Sequence, residues 1–287
     1  KNLPYSLEVE RQDPLNRYSS IQYGHNFQVP VAVAANARYE EMGATSFEFP
    51  EAVQNRCGQH VFFTAKTSSG EDARVQLVDT VSHTGLRAAR LPLSHDALRL
   101  KTVMRSTDSP VDQPDQIPFI LDESDCVGAL APDSGKYVIG FWVKSETYFF
   151  SADPLFSYQD VDLKVQVDGA VITPEMVRKS NLIEGWQRCE YVVDLPFGSE
   201  LIIDIERVAG SDILYVDDFR LHPYLSQMET YVYDPGNLRL LAKCDINNYS
   251  TFYQYDHSGA LSSVKRETAR GIQTLQEVRA GQSKLLP

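Results

Sequence analysis

The chain has few cysteines and they follow no pattern. Cys57, Cys126, Cys189 and Cys244 stand 69, 63 and 55 residues apart, and no CxxC pair suggests zinc or redox chemistry. Buried free thiols, packed as small apolar side chains, are the first reading, with disulfides as the alternative. Long hydrophobic runs are also missing. The longest, Tyr137-Val-Ile-Gly-Phe-Trp-Val143, is strand-sized, far from the roughly 18 residues a membrane-crossing helix needs, so no membrane insertion is expected. Basic residues are scarce: 27 Lys plus Arg against 39 Asp plus Glu give a net charge of -12. That balance argues against a nucleic-acid partner. No glycine-rich loop follows a strand and opens a helix, so nucleotide binding has nothing to rest on. The first residue is Lys1, and no charged-then-apolar leader follows it. The chain therefore reads as a piece of a longer one.

What is present favours strands. Aromatic residues are 10% of the chain, with 15 Tyr and 13 Phe, in short alternating runs that suit a pleated surface. The run at 137–143 is bounded by turn residues and predicts a strand buried on both faces. Val161-Asp-Leu-Lys-Val-Gln-Val167 alternates strictly, Asp168-Gly169 supplies a two-residue turn, and Ala170-Val-Ile-Thr173 returns, the strongest hairpin signal in the chain. Further strands are expected at 75–78, 85–91, 189–195, 200–207 and 213–222. Turn signals every 8 to 12 residues predict an all-β sandwich. Two short helices are expected as well, over 31–42 and over Pro174-Glu-Met-Val-Arg178, where Thr173 would cap before Pro174.

The two ends of the chain match each other. Asp13-Pro-Leu-Asn16 through Gln22-Tyr23 overlays Asp245-Ile-Asn-Asn248 through Gln254-Tyr255 without a gap. Val232-Tyr-Asp234 also returns as Gln254-Tyr-Asp256, 22 residues later. A period near 20 residues predicts stacked hairpins. Tyr233-Asp234-Pro-Gly-Asn-Leu238 and Tyr255-Asp256-His-Ser-Gly259-Ala-Leu261 resemble YD repeats of the RHS family of large bacterial surface and secreted proteins. In that family such units are structural. Asp13 to Tyr23 resembles a degenerate copy, with Gly24 in place of the Asp.

The middle of the chain resembles the galactose-binding-like jelly roll shared by many carbohydrate-binding modules. Ser46-Phe-Glu48-Phe49 looks like its opening strand, Ser82-His-Thr-Gly-Leu86 like the small turn that follows, and Gly135 to Val143 like its central strand. Gly185-Trp186-Gln-Arg-Cys-Glu-Tyr191 and Leu214-Tyr-Val-Asp217-Asp218-Phe-Arg220 look like its Trp-containing and closing strands. Residues 97–127 match nothing. The expected organisation is a YD-repeat-like segment with a short helix over 1–45, the jelly roll over 46–226, and YD-repeat hairpins with a tail over 227–287. The N-terminal segment would pair against the C-terminal hairpins.

The chemistry expected of these residues is binding rather than catalysis. Glu48, Asp217 and Asp218 are hard oxygen donors suited to Ca2+, and the jelly-roll resemblance implies a structural calcium between the opening strand's Glu and the closing strand's Asp. Adjacent residues of a strand face opposite ways, so only one of Asp217 and Asp218 should join Glu48. The plainer reading is solvated charge or a pair to Arg220. Tyr148, Phe149, Phe150, Phe156 and Tyr158 form an aromatic-dense loop that would stack on sugar rings, whereas Trp142 and Trp186 read as packing residues. His83 cannot form a relay with its neighbour Ser82 on an extended chain. Asp160, Asp162, Asp122, Glu123 and Asp125 offer carboxylates of the kind a glycoside hydrolase needs, without a sign that they face across a cleft. The expectation is a non-catalytic structural or adhesion module, secreted or at the bacterial cell surface, whose partners are glycans or other domains of the same large protein. A carbohydrate-binding module is the alternative, and a glycoside hydrolase the lesser one.

Overall fold

A computed structural model of the protein describes residues 7–48, 60–105, 130–147, 157–208 and 212–278. Its strands run β1 (Glu10–Gln12), β2 (Tyr18–Gly24), β3 (Val29–Ala35), β4 (Gly43–Thr45), β5 (Phe63–Thr67), β6 (Asp72–Ala73) and β7 (Gln76–Val78). There follow β8 (Ala88–Leu91), β9 (His95–Val103), β10 (Gly135–Ser145), β11 (Val161–Val167), β12 (Ala170–Ile172), β13 (Glu175–Lys179) and β14 (Gln187–Leu195). The chain closes with β15 (Glu200–Arg207), β16 (Leu214–Pro223), β17 (Gln227–Tyr233), β18 (Leu240–Cys244), β19 (Ser250–Tyr255), β20 (Leu261–Thr268) and β21 (Gly271–Glu277).

Two antiparallel sheets form a β-sandwich. One has the order β13-β14-β10-β16-β8-β7, with β4 added along β16, and the other has the order β12-β11-β15-β9-β5-β6. Alternate residues of facing strands supply one core: Ile139, Phe141 and Val143 of β10 and Val216 and Phe219 of β16 pack with Leu163 and Val165 of β11 and Ile203 and Ile205 of β15. This is the interdigitation that joins two sheets about 10 Å apart. The strict alternation of 161–167 and its Asp168-Gly169 turn form as expected, with Val167 opposite Ala170 and both turn residues at positive φ.

A third sheet has the order β1-β2-β3-β17-β18-β19-β20-β21, so the two ends of the chain do meet in one sheet. The contact runs through β3, which pairs with β17 from Ala35 opposite Gln227 to Ala32 opposite Thr230, rather than by direct pairing of residues 10–24. Four of its hairpin turns are headed by an aspartate. Asp13, Asp245 and Asp256 each accept two downstream backbone N–H groups on Oδ1, and Asp234 accepts that of Gly236. Each turn then carries a left-handed residue: Asn16, Asn248, Gly259 or Leu238. A register shift precedes the tyrosine in three of these strands, at Gln22/Tyr23, Val232/Tyr233 and Gln254/Tyr255. The matched Asp, Asn, Gln and Tyr are therefore the residues that head the turn, enter the left-handed region and flank the bulge.

Both expected helices are strands. Residues 29–35 form β3, because Val29, Val31 and Val33 are β-branched and alternate with small residues; Ala32 and Ala34 pack against Met42, Ala44 and Met228. Only Tyr39–Glu41 makes a single 3-10 turn. Residues 175–179 form β13, an edge strand paired with β14, so tertiary pairing overrides the local cap signal. Cys189 and Cys244 are buried and free; Cys57 and Cys126 lie outside the described residues.

Candidate functional site

The sandwich meets the hairpin sheet across the outer face of β8, β10, β14 and β16. There Ala88, Trp142, Ile183, Trp186 and Tyr215 form a second apolar cluster, and Tyr249 and Ile272 of the hairpin sheet pack against it. Strand β10 is thus buried on both faces, as its unbroken apolar run predicts, with Trp142 serving this second layer. The Asp245-headed turn plugs into the same face. Trp142 Nε1 donates to Asn248 O (3.2 Å), and Arg220 donates to Asp245 O (3.1 Å) and Ile246 O (3.2 Å). The buried Arg188 lies over the Tyr249 ring at 4.5 Å.

The most concentrated polar cluster of this junction is organised by a bulge. In the pairing of β10 with β16, Trp142 faces Asp217 but Gly140 faces Arg220, so Phe141 opposes two residues. Asp218 takes the left-handed conformation, φ 47, which Asp tolerates better than most residues. The bulge breaks the alternation that would send Asp217 and Asp218 to opposite faces. Both carboxylates reach the Ser82–Leu86 turn. Asp217 Oδ2 accepts the backbone N–H of His83 (2.8 Å) and Thr84 (3.2 Å), and its Oδ1 that of Asp218 (2.8 Å). Asp218 accepts from the Thr84 hydroxyl (2.7 Å) and lies 2.6 Å from His83 Nδ1. Neither Asp is solvated, and Arg220 has an ion-pair contact with Glu190 at 3.8 Å instead.

Glu48 closes the turn from the other side. Its Oε1 accepts the backbone N–H of Leu86 (2.7 Å) and Arg87 (2.9 Å). Gly85 is required here: it sits at φ +63, and a Cβ would fall 2.1 Å from that oxygen. Burial, partly offset by those two N–H groups and reinforced by the charge of Asp218, pushes the Glu48 carboxyl up to about 7. Burial and the Asp218 charge likewise hold Asp217 well above the usual carboxylate range.

His83 carries the cluster across to the hairpin sheet. Its Nε2 is 3.0 Å from Glu267 Oε1 on β20, and Glu267 Oε2 accepts the backbone N–H of Ser250. The imidazole stacks on Trp142 at 3.9 Å and 18°, with Trp186 and Phe252 edge-on at 5.6 and 6.3 Å. Burial opposes a charge on this ring, but the Glu267 charge and the hydrogen bonds to Asp218 and Glu267 outweigh it, and the pKa is pushed up to about 10. Ser82 Oγ donates to Gly85 O. Glu267 was not legible as a partner, because 184 residues separate it from His83 and no spacing rule links them.

The three carboxylates do come together, yet they do not fit the calcium that the jelly-roll resemblance implies. Every oxygen of Asp217 and Asp218, and Glu48 Oε1, already faces a hydrogen-bonding partner. Only Glu48 Oε2 has none; Ca2+ takes six to eight oxygens. Among the described residues, no group of three or more His, Cys, Asp or Glu is arranged to hold a metal ion.

Beside His83 a cleft of about 370 Å³ opens between the two units. Trp186, Lys144 and Glu184 line it from the sandwich, and Phe252, Gln254 and Lys265 from the hairpin sheet. The far side of the sandwich is different in character. Arg99 grips Asp204 with two bonds of 2.8 and 2.7 Å, Lys101 pairs with Glu200 at 2.6 Å, and the outward positions of β5, β9, β11 and β15 carry no Phe, Tyr or Trp.

Of the residues expected to stack on sugars, Tyr148, Phe149, Phe150 and Phe156 lie outside the described residues, as do Asp122, Glu123 and Asp125. Tyr158 does not face a ligand. It is 3% exposed and part of the sandwich core, and its hydroxyl donates to Gly185 O at 2.7 Å.

No family model matches the chain, and no curated protein matches it. Among solved structures, the CBM22-1 xylan-binding domain from Paenibacillus barcinonensis Xyn10C is similar over 62% of this chain and 91% of its own, with a TM-score of 0.37 and 13% sequence identity.

Proposed function

We propose that the chain is a non-catalytic structural module, a galactose-binding-like jelly roll carried on YD-type hairpins, from a large secreted or cell-surface bacterial protein. The observation that carries this reading is the docked Asp245-headed turn, whose carbonyls accept from Trp142 and Arg220. A sheet face covered in this way joins parts of one scaffold and presents no open platform to a ligand. The opposite face carries the Arg99–Asp204 and Lys101–Glu200 ion pairs. The four aspartate-headed turns and three bulges support the hairpin-repeat half of the reading. Limited proteolysis of the whole chain tests it: the sandwich and the hairpin sheet should resist cleavage together, and release of a stable 46–226 fragment would count against it.

One observation favours a second reading, carbohydrate binding. The 370 Å³ junction cleft lies in the size range of small-ligand sites, and it sets the half-buried Phe252 beside Lys144, Glu184 and Gln254. A glycan array probed with the whole chain separates the readings. Binding lost in Phe252→Ala but kept in Tyr148→Ala and Phe150→Ala would place a glycan in this cleft. The opposite pattern would place it at the aromatic loop, and no binding leaves the structural reading.

A further inference from the structure

We propose that the cation of the Glu48, Asp217 and Asp218 cluster is the imidazolium of His83, built into the chain where a bound metal ion would otherwise serve, and that the junction it closes is independent of calcium. The geometry carries the inference. Both ring nitrogens lie within hydrogen-bond distance of carboxylate oxygens, Nδ1 at 2.6 Å from Asp218 and Nε2 at 3.0 Å from Glu267. With a carboxylate oxygen as the acceptor on each side, both nitrogens donate, and an imidazole with two N–H groups is the cation.

The surroundings suit that charge. The ring is stacked face to face on Trp142, the arrangement in which an aromatic quadrupole attracts a cation. A buried charge persists only when paired; this one has a carboxylate on each side, each less than 3% exposed. A calcium ion would have to displace the donors already on Asp217 and Asp218, and would then face the imidazolium at close range in a poorly screened interior. The two cations therefore exclude one another. Because Asp218 belongs to the sandwich and Glu267 to the hairpin sheet, the side-chain cation also ties two units together, which a metal held by Glu48, Asp217 and Asp218 alone would not do.

The test uses the whole chain at pH 7. Long-range proton–nitrogen NMR, with the His83 ring assigned through its contact to Trp142, should show both ring nitrogens protonated. After chelation and dialysis, millimolar Ca2+ should leave Tm unchanged. A neutral His83 ring with a single N–H would overturn the proposal. So would a saturable rise in Tm with Ca2+ that Glu48→Gln abolishes.

Discussion

His83 and Glu267 are separated by 184 residues, and their side chains meet at 3.0 Å, the first in a turn of the sandwich and the second on strand β20 of the hairpin sheet. Glu267 is also the acceptor for the Ser250 backbone N–H, so it anchors its own sheet while it reaches across. A buried ion pair gives little net stability compared with a well-packed apolar replacement, but removing one member strands the other. The junction is therefore sensitive to single substitutions.

Glu267→Ala leaves His83 with Asp218 alone and the Ser250 N–H without its acceptor. A loss of about 3–5 kcal/mol is expected, read from urea denaturation. Glu267→Gln, which keeps an oxygen for Ser250, should lose less. Equal stability of the alanine variant and the wild type would show that the bridge contributes nothing.

At Asp218 the backbone and the side chain are both in demand. Asp218→Asn tolerates the left-handed conformation and keeps an acceptor for Thr84. Asp218→Ala keeps neither, and pays roughly 1–2 kcal/mol for the conformation alone. The alanine variant should thus be the less stable by at least that margin, and the reverse order would contradict the role given to the bulge.

The repeated turns allow a matched comparison. Asp13 and Asp245 hold their turns by the same two backbone bonds, but only the second turn is docked against Trp142 and Arg220. Asp13→Ala should cost about 1 kcal/mol, an ordinary hydrogen-bond loss. Asp245→Ala should cost clearly more, because the carbonyls that accept from the sandwich lose their positions. Equal losses in the two variants would mean that docking does not depend on the turn.

His60 supplies a pH signature. It is buried against Met42 O and Tyr39, and burial pushes its pKa down to about 4. In the unfolded chain the ring takes its proton near 6.5, so between pH 6.5 and 4 the unfolded state binds more protons and stability falls as pH falls. Compared with His60→Gln, the wild type should lose stability at about 1.4 kcal/mol per pH unit over that window. Parallel pH profiles for the two proteins would contradict a neutral buried His60.

Much of this arrangement was legible in the residues. The unbroken apolar run of β10 foretold a strand with two buried faces, and the Asp168-Gly169 hairpin formed in register. The Asp, Asn, Gln and Tyr matches between the two chain ends proved to be the turn-heading and bulge-flanking positions of one sheet. Other features depended on tertiary context. Thr173-Pro174 reads locally as a helix cap, but pairing with β14 draws the following residues into an edge strand. The alternation rule separated Asp217 from Asp218, and only the register against β10 reveals the bulge that reunites them. Glu267 lies in a polar stretch with no periodicity, so nothing local marks it as the partner of His83.

The claim that sandwich and hairpin sheet form one structural unit is tested most directly by scanning calorimetry of the whole chain. A single transition is expected, with equal calorimetric and van't Hoff enthalpies, shifted as a whole to lower temperature in Glu267→Ala. Two separable transitions, only one of which moves with that substitution, would contradict it.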